Sequence, residues 1–233
     1  MTDLVQRARA FLAAKHPDAA IAFLGGSAAT GDATATSDLD VLVILGEDQA
    51  DVSYVETSRY DGQLVEAFVY GPAAIRTWTA RGRAERRPVL DRLAAEGISL
   101  TSGTTTQDWQ TEARAVMAAG PAPLTSDEID ACRYALTSLL DDLADPRDAA
   151  EAAVVAATSW RKAAVLALGL DRHWLGTGKW LLRELRLSDD TDRFGLIRAA
   201  TLTDLEQVVA AGRAVLDAAG GPLQAGHLRG SKP

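Results

Sequence analysis

The sequence predicts an α+β protein, a small mixed-sheet domain followed by an all-α helical bundle. Three observations carry that reading. Short apolar runs that end in glycine recur in the first hundred residues, at 21–24, 39–45 and 63–70. Such runs are the mark of buried strands. Beyond residue 104 no segment reads as a strand, and alanine, leucine and charged residues dominate. The stretches TSGTTT and AAGPAP, at 101–106 and 118–123, are plausible joints. The predicted domains are residues 1–103 and 104–233.

The elements follow in order. Leu4, Val5, Ala8, Phe11 and Leu12 recur at helical spacing, so residues 2–15 read as an amphipathic helix. Ile21 to Leu24 is a strand that stops at Gly25-Gly26. Residues 39–45, LDVLVIL, form a second strand that stops at Gly46, and 63–70, QLVEAFVY, a third that stops at Gly71-Pro72. From Pro72 to Ala95 the pattern is helical and arginine-rich, with Gly82 and Pro88 splitting it. Ile98 to Leu100 is a short edge strand. In the second half Thr125 with Glu128, and Thr203 with Glu206, fit the capping box that opens a helix. Gly120-Pro121, Asp145-Pro146, Gly176 and Gly220-Gly221-Pro222 are the breaks, which leaves four or five helices. The tail HLRGSKP reads as frayed.

Bulk properties narrow the function. The chain has 233 residues, 47% hydrophobic and 24% charged, an ordinary globular balance. Its formal net charge of -8 disfavours nucleic acid as the main partner. Cys132 is the sole cysteine, so there is no internal disulfide and no cysteine metal site. The N-terminus lacks the apolar core of a signal peptide. The most apolar stretch, 152–170, is interrupted by Arg161 and Lys162 and reads as too short and too charged to span a bilayer. The expected setting is the cytoplasm, with no membrane association.

The chemistry concentrates in GGSAATGDATATSDLDVLV, residues 25–43. Asp38 and Asp40 are two apart on the second predicted strand. Alternation places both carboxylates on one face, with Leu39 and Val41 on the other. Two like charges that close repel, and a hard divalent cation, Mg²⁺ above all, relieves the repulsion. Upstream, Gly26-Ser27 follows a buried strand. Glycine there lets a phosphate approach the backbone, and a helix starting at that point would aim free N–H groups at it. Ten residues separate Ser27 from Asp38, room for a short helix and a return loop. Glu66 lies within an otherwise apolar strand, where a bare charge is costly. It is the candidate third ligand. Each feature alone has a plain reading as a solvated turn, strand edge or ion pair; their order and spacing make the combination specific.

The series Gly26-Ser27, Gly31 and Ser37-Asp38-Leu39-Asp40-Val41 resembles the signature of the polymerase-β-type nucleotidyltransferase superfamily. Residues 20–100 carry the resemblance. It implies a nucleotidyltransferase domain with a two-metal site, two Mg²⁺ ions held by Asp38, Asp40 and Glu66. ATP or another nucleoside triphosphate would be the co-substrate. Gly26 and Ser27 would hold the phosphates, and Glu66 would be the general base toward an acceptor hydroxyl.

The helical half is similar, more loosely, to the helical domain of aminoglycoside adenylyltransferases. Leu175-Gly176-Thr177-Gly178-Lys179-Trp180-Leu181-Leu182 resembles their short turn with a lysine opening a helix. That resemblance implies that Lys179 binds the triphosphate; a solvated helix-start lysine is the plain alternative.

The remaining candidates are less specific. Asp141 and Asp142 are either contacts for a cationic substrate or solvated charges. Trp109, Trp160, Trp174 and Trp180 either stack on a ligand or fill the core. Arg81, Arg83, Arg86 and Arg87 form one basic run, a solvated face or a phosphate or tRNA contact. His16, His173 and His227 are too scattered to form a metal cluster.

The expected activity is therefore adenylyl-type transfer of a nucleoside monophosphate to a hydroxyl of a small molecule, an aminoglycoside-like antibiotic among the acceptors, with a monomer or homodimer as the working form. The alternatives are a protein or RNA acceptor, or a non-catalytic nucleotide-binding module.

Overall fold

A computed structural model describes residues 2–34, 36–189, 191–225 and 227–228. Residues 229–233 of the tail expected to fray lie outside the described residues. The chain divides into two compact units, residues 1–120 and 121–233.

Unit 1 is built on a five-stranded mixed sheet in the order β3-β4-β2-β1-β5. Helix α1 (Thr2–Lys15) leads into β1 (Ile21–Leu24), the short helix α2 (Gly26–Thr30) and β2 (Leu39–Ile44). A hairpin follows, β3 (Ser53–Tyr60) and β4 (Gln63–Tyr70), then α3 (Pro72–Ala84), α4 (Val89–Ala95), β5 (Ile98–Ser99) and α5 (Thr104–Ala119). β1 runs antiparallel to β2 and β5, β3 antiparallel to β4, and β2 parallel to β4. The helical stretch 72–95 is split as expected. Arg86 adopts a left-handed φ of 58° and the Arg87 amide donates to the Gly82 carbonyl at 2.7 Å, which turns the chain between α3 and α4.

β3 is the one strand the sequence did not announce. Its residues SYVETSRY are almost all exposed, so it has no apolar run to betray it. The two-residue turn is nevertheless written in the chain. Tyr60 pairs with Gln63 across Asp61-Gly62, whose φ values of 47° and 77° are those of a tight hairpin turn.

The two faces of the sheet are covered by different helices. Ala22, Leu24, Leu39, Val41, Val43, Val65, Ala67 and Val69 pack with Ala8, Phe11 and Leu12 of α1. On the other face Phe23, Leu42, Ile44 and Tyr70 pack with Ile75 of α3, with Leu90, Leu93 and Ala94 of α4, and with Ala113 of α5. The helix after residue 103 thus packs on the sheet unit.

Unit 2 is helical among its described residues: α6 (Ser126–Ala144), α7 (Ala149–Leu170), α8 (Lys179–Ser188), α9 (Leu196–Ala199) and α10 (Leu205–Ala218). The Thr125–Glu128 capping box is formed in both directions. The second expected box is replaced. Asp204 caps α10, its carboxylate accepting from the Glu206 and Gln207 amides, while Thr203 bonds to Thr201. The charged carboxylate of Asp204, one residue along, accepts from both amides and is the stronger acceptor. α7 extends past the apolar stretch seen in sequence. At 22 residues it is long and apolar enough to cross a membrane by length and composition alone. Here Ala156, Ala163, Ala164, Leu166, Ala167 and Leu168 of α7 are core residues, packed with Leu136 and Leu140 of α6 and Val208 and Val215 of α10.

Candidate metal and nucleotide site

The parallel pairing of β2 with β4 builds the acidic site. In that register Asp40 lies beside Glu66, and Leu42 beside Phe68. Partners in register present side chains to the same face, so the two carboxylates are neighbours by backbone geometry alone. Asp38 stands just ahead of β2, outside the strand on which its sequence spacing from Asp40 places it. Gln63 of β4 fixes this approach by donating through Nε2 to the Ser37 carbonyl at 2.8 Å. A turn at Thr34–Ser37 closes the loop before it, with the Ser37 amide donating to the Thr34 carbonyl at 3.1 Å. One oxygen from each of Asp38, Asp40 and Glu66 lies within 4.8 Å of the other two. All three side chains are half-buried.

Three carboxylates at that distance repel strongly unless a cation neutralises them. The donor set is all oxygen and carries three negative charges, which suits Mg²⁺ or another hard divalent ion. The fit is to a metal site open on one side, since the protein supplies three residues and a six-coordinate ion keeps places for other ligands.

Gly26 shows how closely the glycine turn approaches. It sits at the start of α2 with φ +59°, and a Cβ built there would overlap Oδ2 of Asp40. The Gly25 amide donates to the Asp40 carbonyl at 2.8 Å, which ties the turn to the acidic strand. Ser27 is half-buried in the first turn of α2. Gly26 and Ser27 are therefore held against the acidic trio by local structure.

Residues 5–87 match a family model described as a nucleotidyltransferase domain. The N-terminal unit carries a nucleotidyltransferase domain. Those residues are similar to the nucleotidyltransferase domains of the polymerase-β-like superfamily. No curated protein matches the chain. Among solved structures, a nucleotidyltransferase-like protein from Exiguobacterium sibiricum 255-15 is similar at 13% identity, with a TM-score of 0.46 over 93% of this chain and 74% of that one. A nucleotidyltransferase domain with an acidic trio at its sheet supports nucleotidyl transfer as the activity.

The other candidates are distributed as follows. Lys179 is exposed at the first position of α8 in unit 2, after Gly178 at φ 53° and ψ -126°. Gly176 is required because a Cβ there would meet the backbone of Trp180. Asp141 is exposed and accepts from Gln224, and Asp142 is exposed. Trp174 is buried, Trp160 packs on the helical core and donates to the Leu196 carbonyl at 2.8 Å, and Trp109 packs on the sheet. Trp180 is stacked under Arg183, 4.5 Å from the guanidinium carbon.

The arginine run does not form one basic face. Arg81 pairs with Glu85 at 2.8 Å, a hydrogen bond that holds the Glu85 carboxyl below its ordinary range. Arg83 turns the other way and forks onto the buried Asp91 at 2.6 Å. That hydrogen bond raises the Arg83 guanidinium above its ordinary value. Arg87 is half-buried and its Nε is enclosed with no hydrogen-bond partner.

Trp78 is the aromatic residue that sequence reasoning passed over. It is 41% exposed, and its indole N–H donates to the Ser53 hydroxyl at 2.8 Å. The signal was the pair Trp78 and Arg81, one helical turn apart, where a guanidinium can lie over the ring.

Proposed function

We propose that this protein transfers a nucleoside monophosphate from a nucleoside triphosphate, ATP first, to a hydroxyl of a small-molecule acceptor. The observation that carries the reading is the acidic trio, Asp38, Asp40 and Glu66, with oxygens within 4.8 Å of one another beside a glycine turn. Asp38, Asp40 and Glu66 would hold Mg²⁺, which when bound neutralises the triphosphate and lowers the pKa of an attacking hydroxyl.

The chain's own residues supply the rest. Gly26 and Ser27 admit the phosphates next to Asp40, because no side chain stands at Gly26. Glu66, on the strand neighbouring Asp40, takes the proton of the acceptor hydroxyl. The acceptor oxygen bonds to the α-phosphorus, the bond from that phosphorus to the bridging oxygen breaks, and pyrophosphate leaves with the electron pair. Glu66 returns the proton to solvent. Lys179, at the opening of α8, contributes positive charge to the leaving pyrophosphate. The acidic balance of the chain favours a small acceptor over RNA. A reducing compartment, the cytoplasm, suits a chain with one cysteine.

The test is pyrophosphate release from each nucleoside triphosphate with Mg²⁺, against aminoglycosides, lincosamides and other polyols, with wild type and Asp40→Ala in parallel. Acceptor-dependent release by wild type, reduced roughly 10³-fold or more in the variant, is expected. Silence across the panel with metal-dependent ATP binding intact would move the acceptor to protein or RNA. Absence of nucleotide binding would overturn the reading.

A further inference from the structure

A cavity of about 310 Å³ opens in unit 1 between β4, α3 and the start of α4. Its size falls within the range of small-ligand sites, roughly 300–1,000 Å³. Phe68, Tyr70 and Trp78 line it, and Arg81, Glu85 and Arg87 stand at its wall. This lining is chemically specific in two ways.

The aromatic wall is fixed before any ligand arrives. Trp78 is tethered by its indole N–H to Ser53 of β3 at 2.8 Å. Arg81 lies over the Trp78 ring, 5.2 Å from its centroid, and Tyr70 meets Trp78 at a centroid distance of 6.4 Å. Tyr70 is buried and Trp78 is 41% exposed, so the wall has a packed base and an open indole rim. A planar ligand laid against this rim covers apolar area without reordering the side chains that receive it.

The charge is positive where the cavity closes. Arg81 hydrogen-bonds Glu85 at 2.8 Å and Arg87 acts on the same carboxylate through its charge, so two guanidiniums face one carboxylate in this lining. Arg87 is held in place by its backbone, its amide donating to Gly82 at 2.7 Å. Its Nε is enclosed and unpaired, a costly state for a charged donor. With Nε enclosed, a carboxylate or phosphate in the cavity would pair with the remainder of the Arg87 guanidinium, and a polycation would be repelled.

The cavity also stands next to the acidic trio. Phe68 follows Glu66 by two residues on β4, so both side chains point to the same sheet face, their Cα atoms roughly 7 Å apart. Asp38, Asp40 and Glu66 are not among the lining residues, so a ligand seated against Phe68 and Trp78 would have to extend past Phe68 to meet them. We infer that this cavity is the acceptor site, and that the acceptor is a planar aromatic molecule carrying a carboxylate or phosphate, anchored by Arg87 and stacked at Trp78, with its hydroxyl directed toward Glu66. This inference rests on the nucleotidyl-transfer reading and narrows the acceptor class away from polycationic antibiotics.

The test is ¹⁹F NMR of the full chain labelled with 5-fluorotryptophan, with no nucleotide and no metal present. The Trp78 resonance is assigned as the one lost in Trp78→Phe. The probes are 4-hydroxybenzoate, phenyl phosphate, the neutral 4-hydroxybenzamide, and tobramycin as a polycation. The two aryl anions distinguish a carboxylate from a phosphate acceptor. A saturable shift of the Trp78 signal with at least one aryl anion is expected, with the amide and tobramycin about tenfold weaker or silent. Arg87→Gln should weaken the anion about tenfold while its thermal unfolding stays that of wild type, and Arg87→Lys should recover part of the loss. Should Arg87→Gln prove unfolded, the comparison of anion with amide on wild type decides alone. Equal shifts with anion and amide, or no shift with either anion, would overturn the inference and leave nucleotidyl transfer untouched. Failure of the transfer reading appears elsewhere, as loss of Mg²⁺-dependent nucleotide binding in a separate titration with the Trp78 shift intact.

Discussion

The two units of this chain use their polar residues differently. In unit 1 the sheet brings Asp38, Asp40 and Glu66 together, while Leu39, Val41, Val43, Val65, Ala67 and Val69 of the same strands pack in the apolar core on the other face. In unit 2 the buried acid Glu184 is paired with His173 at 3.0 Å, as Asp91 of unit 1 is with Arg83, and no such acidic cluster stands among its described residues. Grouping like charges raises the energy of a fold, whereas pairing a buried acid lowers it. A protein keeps an arrangement of the first kind where a ligand is to neutralise it. The difference supports metal binding at the sheet unit and packing as the main role of the polar residues buried in the helical one.

The sharpest way to break this comparison is Gly26→Ala. A Cβ at position 26 overlaps the Asp40 carboxylate, and the φ of +59° is a region that alanine resists. The strain costs about 1–2 kcal/mol of stability. Displacing Asp40 should lower Mg²⁺-dependent pyrophosphate release by about 100-fold, beyond what that stability loss explains. Paired measurements of release and of thermal unfolding check this. A variant with wild-type activity would show that Asp40 does not depend on the glycine turn.

Much of this site was legible in the chain. Asp38 and Asp40 two apart before an apolar run, and Glu66 as the lone charge in QLVEAFVY, each break a local pattern, and a broken pattern is visible without a structure. The pairing of β2 with β4 was not visible, because strand order depends on contacts far apart in sequence. β3 and Trp78 were missed for a related reason. β3 is exposed and so leaves no apolar run, and Trp78 on α3 is held by Ser53 of that same unannounced strand. The Thr203 box failed because Asp204, one residue on, is the stronger acceptor.

Lys179→Ala sharpens the comparison from the other side. If unit 2 contributes charge to the triphosphate, the variant should raise the KM for the nucleotide about tenfold, the magnitude of one charge-assisted contact. Its kcat should fall by less, and its folding should be unchanged, since Lys179 is exposed. Steady-state kinetics at varied nucleotide concentration decide the matter. Unaltered kinetics would confine the reaction machinery to unit 1.

The smallest expected effect separates the units by pH. His16, at the end of α1, packs its ring against Phe11 at 5.6 Å. Burial lowers its pKa below the ordinary 6.5, against the opposing pull of Glu56 and with a smaller push from Lys15. A histidine depressed in the folded state is neutral there while the unfolded chain already takes up a proton. Its contribution is therefore fully present above pH 6.5 and is lost as the pH falls from 6.5 through the folded value. Denaturant unfolding of the full chain between pH 7.5 and 5.5 should show stability declining toward the acid end, and His16→Gln should flatten that slope without altering stability at pH 7.5 by more than the lost ring packing. The decline should appear in a probe of unit 1, such as the Trp109 signal, before it appears in Trp160 of unit 2. The same slope in His16→Gln as in wild type would place the acid sensitivity elsewhere.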